Sequence, residues 1–326
     1  MNVLCVIPAR LRSTRLPRKV LREVAGRPLV VRVWEAARRA PELADVLVAT
    51  DAQEVLDACR AHGVPAVLTS PDHPSGTDRV WEVAQARAAD VYVNVQGDEP
   101  LITPGHIARL VAPFAGRPDT QVSTLKIRLR PEEVDNPNVN KVVCGADGRA
   151  LYFSKYPIPY DRDGRGAARF KHIGLYAYTR AALDAFHRLP PSPLELAERL
   201  EQLRFLEHGV PITVVETDEP TIGVDTEADL RAVETLLRAR GALPPGRAAS
   251  ATRSWRWSWP PRPSPTSARS ASPRSPRWSA TTSASRSPRR ARSSRPTTWA
   301  RCSCRSPPAR WPTAGASSAR SCSGRS

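Results

Sequence analysis

Apolar and polar positions along residues 1–244 alternate between two registers. Short apolar runs read as strands at Val3 to Ile7, Asp45 to Thr50, Val67-Leu68 and Val91 to Val95. Between them apolar residues recur at helical spacing. This predicts helices over Pro28 to Ala40, Ala52 to His62, Thr77 to Ala89 and Pro104 to Phe114, the first entered through proline. Strand and helix in turn are the signature of a mostly parallel sheet with helices on both faces, so the expected fold is a Rossmann-like α/β domain. After Phe114 the pattern changes. QVSTLKIRL, KVVC, ALYFS and HIGLYAY read as strands with few helices between them, which predicts a mixed or antiparallel extension of the sheet or a small lobe beside it. Helical period returns in PLELAERLEQLRFLEHG, from Pro193, and in TEADLRAVETLLRARG, from Thr226.

Charge changes the picture only once it is located. The chain of 326 residues carries a formal net charge of +17, which taken whole points to nucleic acid or an anionic membrane surface. From Pro245 to Ser326, however, there are seventeen arginines, no lysine and no acidic residue, so residues 1–244 balance. The two parts are expected to be a globular domain, 1–244, and a disordered Arg/Ser/Pro-rich tail, 245–326. The tail uses only Pro, Gly, Arg, Ala, Ser, Thr, Trp and Cys, the residues whose codons carry C or G in the second position. Selection for a fold does not produce that rule, whereas GC-rich DNA read out of frame after Leu243 does. The competing reading is a disordered arm whose tryptophans stack on single-stranded nucleic acid. An RNA-binding arm has no reason to exclude lysine, so the expectation is no nucleic-acid partner. Cys302 and Cys304 form a lone C-x-C without a second pair, and Cys5, Cys59 and Cys144 read as reduced, packed thiols. No apolar run reaches the roughly 18 residues of a membrane span, and no charged leader with an apolar signal core follows Met1. A soluble cytoplasmic protein without a membrane partner is expected.

In an open α/β sheet, ligands bind outside the carboxyl ends of the strands. The first strand runs into VIPARLRSTRLPRK, which sets Arg10, Arg12, Arg15, Arg18 and Lys19 at that edge. Guanidinium groups offer forked donors to phosphate or carboxylate oxygens, and lysine a mobile point charge. The segment has no glycine, so side chains must supply what backbone amides supply in a P-loop. Five cations do not all fit inward; Arg12 and Arg18 are the candidates for solvent. DHPSGTDR, Asp72 to Arg79, enters a helix, where Gly76 permits close approach to a flat ligand and Ser75 or Thr77 reads equally as an N-cap. NVQGDEP follows the VYV strand and presents Gln96, Asp98 and Glu99; GVDTEADL places Asp225 before the last helix, where an N-cap is the alternative role. Two carboxylates facing a basic loop suit Mg²⁺, which takes a few carboxylates together with phosphate oxygens.

These motifs, with NPNVNKVV, ALYFSKYPIPYDRD, KHIGLYAY and PSPLELAERLEQLR, in this order, resemble the CMP-KDO synthetases (3-deoxy-manno-octulosonate cytidylyltransferases) across essentially all of residues 1–244 and none of the tail. The resemblance implies a Mg²⁺-dependent transfer in which CTP and a 2-keto-3-deoxy sugar acid give the CMP-sugar and pyrophosphate, a step in building lipopolysaccharide-type surface sugars. It implies that Arg10, Ser13 and Lys19 hold the CTP phosphates and that Ser75, Gly76 and Thr77 help form the cytosine pocket. Asp98 and Asp225 would hold the metal, and Arg10, Lys19, Asp98 and Asp225 form the catalytic set. Arg15, Arg79, Gln96, Lys155, His172, Tyr176, Glu201 and Gln202 would surround the sugar acid, and the protein would be a homodimer. Read alone, His172 is a packed strand histidine, and Glu201 and Gln202 are a solvated helix face. One departure stands out: many family members read Y-F-S-R where this chain has Tyr152-Phe153-Ser154-Lys155. Lysine replaces a guanidinium fork with a single charge, which keeps a related acid, sialic-type or amino-substituted, open as the sugar.

Overall fold

The computed structural model describes residues 1–13 and 16–239; Arg15 and the arginine-rich segment 245–326 lie outside the described residues. In chain order the elements are β1 (Val3–Ala9), β2 (Glu23–Val24), β3 (Arg27–Pro28), α1 (Leu29–Ala37), β4 (Asp45–Thr50), α2 (Gln53–Ala61), β5 (Ala66–Leu68), α3 (Gly76–Ala86), β6 (Val91–Asn94) and α4 (Pro104–Gly116). They continue with β7 (Val122–Arg128), β8 (Lys141–Cys144), β9 (Ala150–Ser154), β10 (Phe170–Tyr178), α5 (Arg180–Arg188), α6 (Pro193–Glu198), α7 (Leu203–Glu207), β11 (Ile212–Glu216) and α8 (Glu227–Ala239).

All seven residues of β1 are buried, as a strand covered on both faces must be. It lies between β4 and β6 and runs parallel to both. The full order is β11-β7-β10-β6-β1-β4-β5. Within it only β10 runs against its neighbours, antiparallel to β6 and to β7. β8 pairs antiparallel with β10 and β9 with β8, so the expected mixed extension is part of the main sheet and not a separate lobe. Alternate residues of the strands feed two cores. Cys5, Ile7 and Val93 pack with α1 and α4 residues on one face, and Leu4, Val6 and Tyr92 with α3 and α5 residues on the other.

A third, smaller cluster matters more for function. Leu230 and Val233 of α8 pack with Leu16, Val24, Leu29, Leu101 and Val224, and Arg22 pairs with Glu227. This contact fastens the end of the described chain onto the loops that follow β1 and β6.

Besides the two-residue strands β2 and β3, the pattern read above lacks α5, capped by Thr179, and β11, which pairs parallel with β7. Both α5 and β11 are short, and the apolar content of α5 is largely alanine, which weakens a periodic signal. The predicted single helix from Pro193 is interrupted. Arg199 takes a left-handed conformation (φ 54°) and divides it into α6 and α7. The strain of a non-glycine residue there is offset by the packing of Leu200, Leu203 and Phe205 and by the ion pair from Arg204 Nε to Glu195 Oε2, 2.8 Å. The helix predicted to Ala89 ends at Ala86.

Candidate active site

The carboxyl ends of β1 and β6 open into a cleft of ≈ 810 Å³, lined by Pro8, by residues 10–13 and 17–20, by Gln96, Gly97 and Asp98, and by Asp225. The sheet directs these segments to one place because β1 and β6 are adjacent and parallel. Gly97 donates its N–H to the Pro8 carbonyl, 3.2 Å, and the backbones are so close that a Cβ on Gly97 would stand 3.0 Å from that oxygen.

The basic loop divides. Arg10 is exposed on the cleft and, among the described residues, makes no ion pair. Ser13 also lines the cleft, and its Oγ accepts the Leu16 N–H, 3.4 Å. Arg18 lies at the cleft and pairs with Glu54 at the surface; Arg12 is exposed at the cleft rim. Lys19 turns inward. Its Nζ lies 3.0 Å from Asp225 Oδ1 and also donates to Asp98 Oδ2. Burial opposes the Lys19 charge, but the two carboxylates outweigh it and hold the ammonium above its ordinary pKa.

Asp225 is not the cap of α8. Thr226 takes that role: its Oγ1 accepts the Asp229 N–H, 3.2 Å, and Asp229 Oδ2 accepts the Thr226 N–H, 2.8 Å. The Asp225 carboxylate is thereby directed to Lys19. Among the described residues no three His, Cys, Asp or Glu side chains assemble a complete metal site. Two carboxylates at a cleft already built for anions fit Mg²⁺ that completes its shell with substrate phosphate and water. Burial, with the Asp98 carboxylate beside it, pushes the neighbouring Glu99 carboxyl up to about 7.

The second wall is the amino end of α3. Ser75 is its N-cap, accepting the Asp78 N–H at 3.1 Å. A Cβ on Gly76 would meet Pro8 Cγ at 3.3 Å and the Gln96 amide at 3.5 Å, so only glycine keeps a slot open between them. Thr77 departs from its expected place. Its side chain is fully buried and reaches Tyr178, 3.3 Å, and Glu201 Oε1, 3.1 Å. Glu201 therefore turns toward α3 and is only partly exposed, and Gln202 is buried. The Arg199 interruption rotates both inward, which a continuous helix would not. Burial raises the Glu201 carboxyl, against the Thr77 hydrogen bond.

Arg79 also differs from expectation. It is 2% exposed, held by Asp51 Oδ2 at 3.3 Å and by Thr69, on the β4–β5 flank and not beside β10. Asp51 Oδ1 also accepts the Leu11 N–H, 3.4 Å, so the Arg79–Asp51 pair braces the basic loop. Asp51 is missing from the candidates above; its position directly after β4 was the available signal. Of the other residues expected at the sugar, His172 and Tyr176 sit on β10. Tyr176 lies opposite both Asn94 and Thr124, its ring 5.4 Å from His172. The Thr124 hydroxyl reaches the Leu175 carbonyl at 2.7 Å and His172 Nε2 at 2.9 Å. Its single proton goes to the carbonyl, so His172 donates from Nε2 and Nδ1 is left as a buried acceptor without a partner. Burial lowers the His172 pKa to about 3. Asn94 Nδ2 and Gln202 Nε2 are likewise buried donors without a partner. Lys155 is half-exposed, with its N–H on Glu198, 2.9 Å, and its carbonyl on the buried Lys141 Nζ, 3.0 Å.

An open α/β sheet whose parallel edge joins a cationic loop, two acidic residues and a glycine slot defines a nucleotidyltransferase. The comparisons refine this. The model of the cytidylyltransferase family matches residues 4–214. A 3-deoxy-manno-octulosonate cytidylyltransferase from Acidobacterium capsulatum is 58% identical over 241 residues, 74% of this chain and 98% of the relative. One from Koribacter versatilis is 60% identical over 242 residues, 74% of this chain and 92% of that one. The structure of a CMP:2-keto-3-deoxy-manno-octonic acid synthetase complexed with CTP superposes with a TM-score of 0.71 at 41% identity, covering 74% of this chain and 100% of that one. The chain belongs to the cytidylyltransferase family, among the 3-deoxy-manno-octulosonate cytidylyltransferases. Among the described residues no helix is long and apolar enough to cross a membrane.

Proposed function

We propose that the protein transfers CMP from CTP to 3-deoxy-manno-octulosonate, releasing pyrophosphate. The observation that carries this reading is Lys19 held between Asp98 and Asp225 in a cleft whose other wall is the Gly76 slot. The slot between Pro8 and Gln96 takes the flat cytosine; Ser75 supports it by capping α3. Arg10, Ser13 and Lys19 line the path of the triphosphate.

The sugar's anomeric hydroxyl, giving up its proton to solvent, attacks the α-phosphorus in line, and pyrophosphate leaves on the opposite side. Arg10 and Lys19 offset the charge that gathers on the leaving group. Asp98 and Asp225 would hold Mg²⁺, which when bound neutralises phosphate charge and lowers the pKa of the attacking hydroxyl. The sugar lies against the β10 face, where its hydroxyls supply the partners that His172 Nδ1, Asn94 and Gln202 lack. Gln96, Tyr176, Thr77 and Glu201 complete that wall, and Lys155 with Arg15 attracts the carboxylate. Arg79 acts through Asp51 on the loop and not on the sugar. No protein side chain forms a covalent intermediate.

The protein acts in the cytoplasm as a homodimer, for which the exposed Leu151, Tyr156, Tyr160 and Leu196 supply apolar surface. The tail plays no part: the relative matched over 98% of its length is accounted for by 74% of this chain. A second reading, a related sugar acid, is favoured by Lys155. Pyrophosphate release with CTP, Mg²⁺ and each of 3-deoxy-manno-octulosonate, an 8-amino analogue and sialic acid tests both. Release with the first supports the main reading; release only with another shifts the sugar, and release with none overturns the reaction.

A further inference from the structure

Between β11 and α8 the chain runs without regular structure, and this stretch delivers Asp225 to Asp98. Two hydrogen bonds hold its last part to the QGDEP loop. The Val224 N–H donates to the Asp98 carbonyl, 2.9 Å, and the Thr221 hydroxyl donates to Glu99 Oε2, 2.7 Å. The same carboxylate closes over the backbone of Gly223, where a Cβ would stand 3.0 Å from Glu99 Oε1. Glu99 thus touches Thr221 and Gly223, on either side of Ile222 and just before Val224 and Asp225, while its own neighbour is Asp98. Packing of Val224, with the partly buried Ile222 beside it, in the third cluster fixes the depth of the strand-to-helix segment, and the Glu99 contacts add a polar tie on the side of Asp98.

We propose that Glu99 is a positioning residue whose carboxylate, by accepting the Thr221 hydroxyl across Gly223, sets the separation of Asp98 and Asp225 for a divalent cation. The inference rests on the reading of those two carboxylates as the metal pair. It gives Glu99 a hydrogen-bonding role and not a charge role, so an isosteric amide serves in its place. Outer partners of this kind change metal affinity by about 10- to 100-fold when removed.

The test is Mn²⁺ binding to the full chain in the presence of CTP and absence of sugar, read from the electron paramagnetic resonance of free Mn²⁺. Thr221→Val, Glu99→Ala and Gly223→Ala are expected each to weaken Mn²⁺ by about tenfold. The Glu99→Ala/Thr221→Val double variant is expected to be no weaker than either single one, because both remove the same contact. Glu99→Gln is expected to stay within about twofold of the parent chain, and melting curves identify any variant that has lost its fold. Thr221→Val is nearly isosteric and keeps the test decisive should Glu99→Ala unfold. Asp98→Asn separates the two levels. Unchanged Mn²⁺ binding in that variant overturns the metal pair and this inference with it. Loss there, with full binding in folded Thr221→Val, overturns the latch alone, as does a Glu99→Gln variant as weak as Glu99→Ala.

Discussion

The Lys19 ammonium stands 3.0 Å from the Asp225 carboxylate although 206 positions separate them in the chain, and it bonds to Asp98 at the same time. One cation therefore bridges two acids at the mouth of the cleft. Lys19→Met is expected to destabilise the metal-free protein by about 1–3 kcal/mol. Mg²⁺ with CTP should recover most of that loss. Thermal unfolding with and without the pair of ligands checks this; a variant as stable as the parent in both conditions contradicts it.

Asp98→Asn keeps the shape of the side chain and removes its charge. Turnover is expected to fall by at least about 100-fold. The fold should persist, because Lys19 retains Asp225. Circular dichroism together with a pyrophosphate-release assay separates the two effects, and near-normal turnover would refute the assignment of Asp98.

His172 links pH to stability. Its folded pKa of about 3 lies below its ordinary value because burial disfavours the charged ring, so the unfolded chain binds the proton more tightly. The stability this residue confers is present above about pH 6.5 and is lost as pH falls toward 3. His172→Gln is expected to flatten the dependence of stability on pH in that window. Urea unfolding at pH 7 and pH 4.5 measures the change, and parallel slopes for the two chains would count against it.

Lys155 offers one mobile charge where a guanidinium offers a fork. Lys155→Arg is expected to lower KM for 3-deoxy-manno-octulosonate by severalfold with kcat little changed, because the gain is in binding a carboxylate already present in the ground state. Steady-state kinetics at saturating CTP checks it. A rise in KM would mean that the position is fitted to lysine and to another acid.

Much of the fold was legible in local pattern. β1, β4 and β6 are apolar runs whose burial on both faces follows from composition alone, and the basic loop after β1 announces an anion site through its position. Less local features were not legible. Arg199 breaks an otherwise periodic helix through a left-handed residue that only the packing of Leu200, Leu203 and Phe205 sustains, and that break turns Glu201 and Gln202 inward. Thr77 and Arg79 meet Glu201 and Asp51 because α3 presents them to different partner elements, which local pattern does not reveal.

By itself the amino-acid sequence determined the alternation of strands and helices, the edge of the sheet at which chemistry collects and the kinds of group found there, since periodicity and charge are local properties of a chain. Only the tertiary structure decided which carboxylates meet. Asp98 and Asp225 come together because α8 buries Leu230 and Val233 against Leu16, Leu29 and Leu101, and non-directional burial between distant segments leaves no mark on either segment alone.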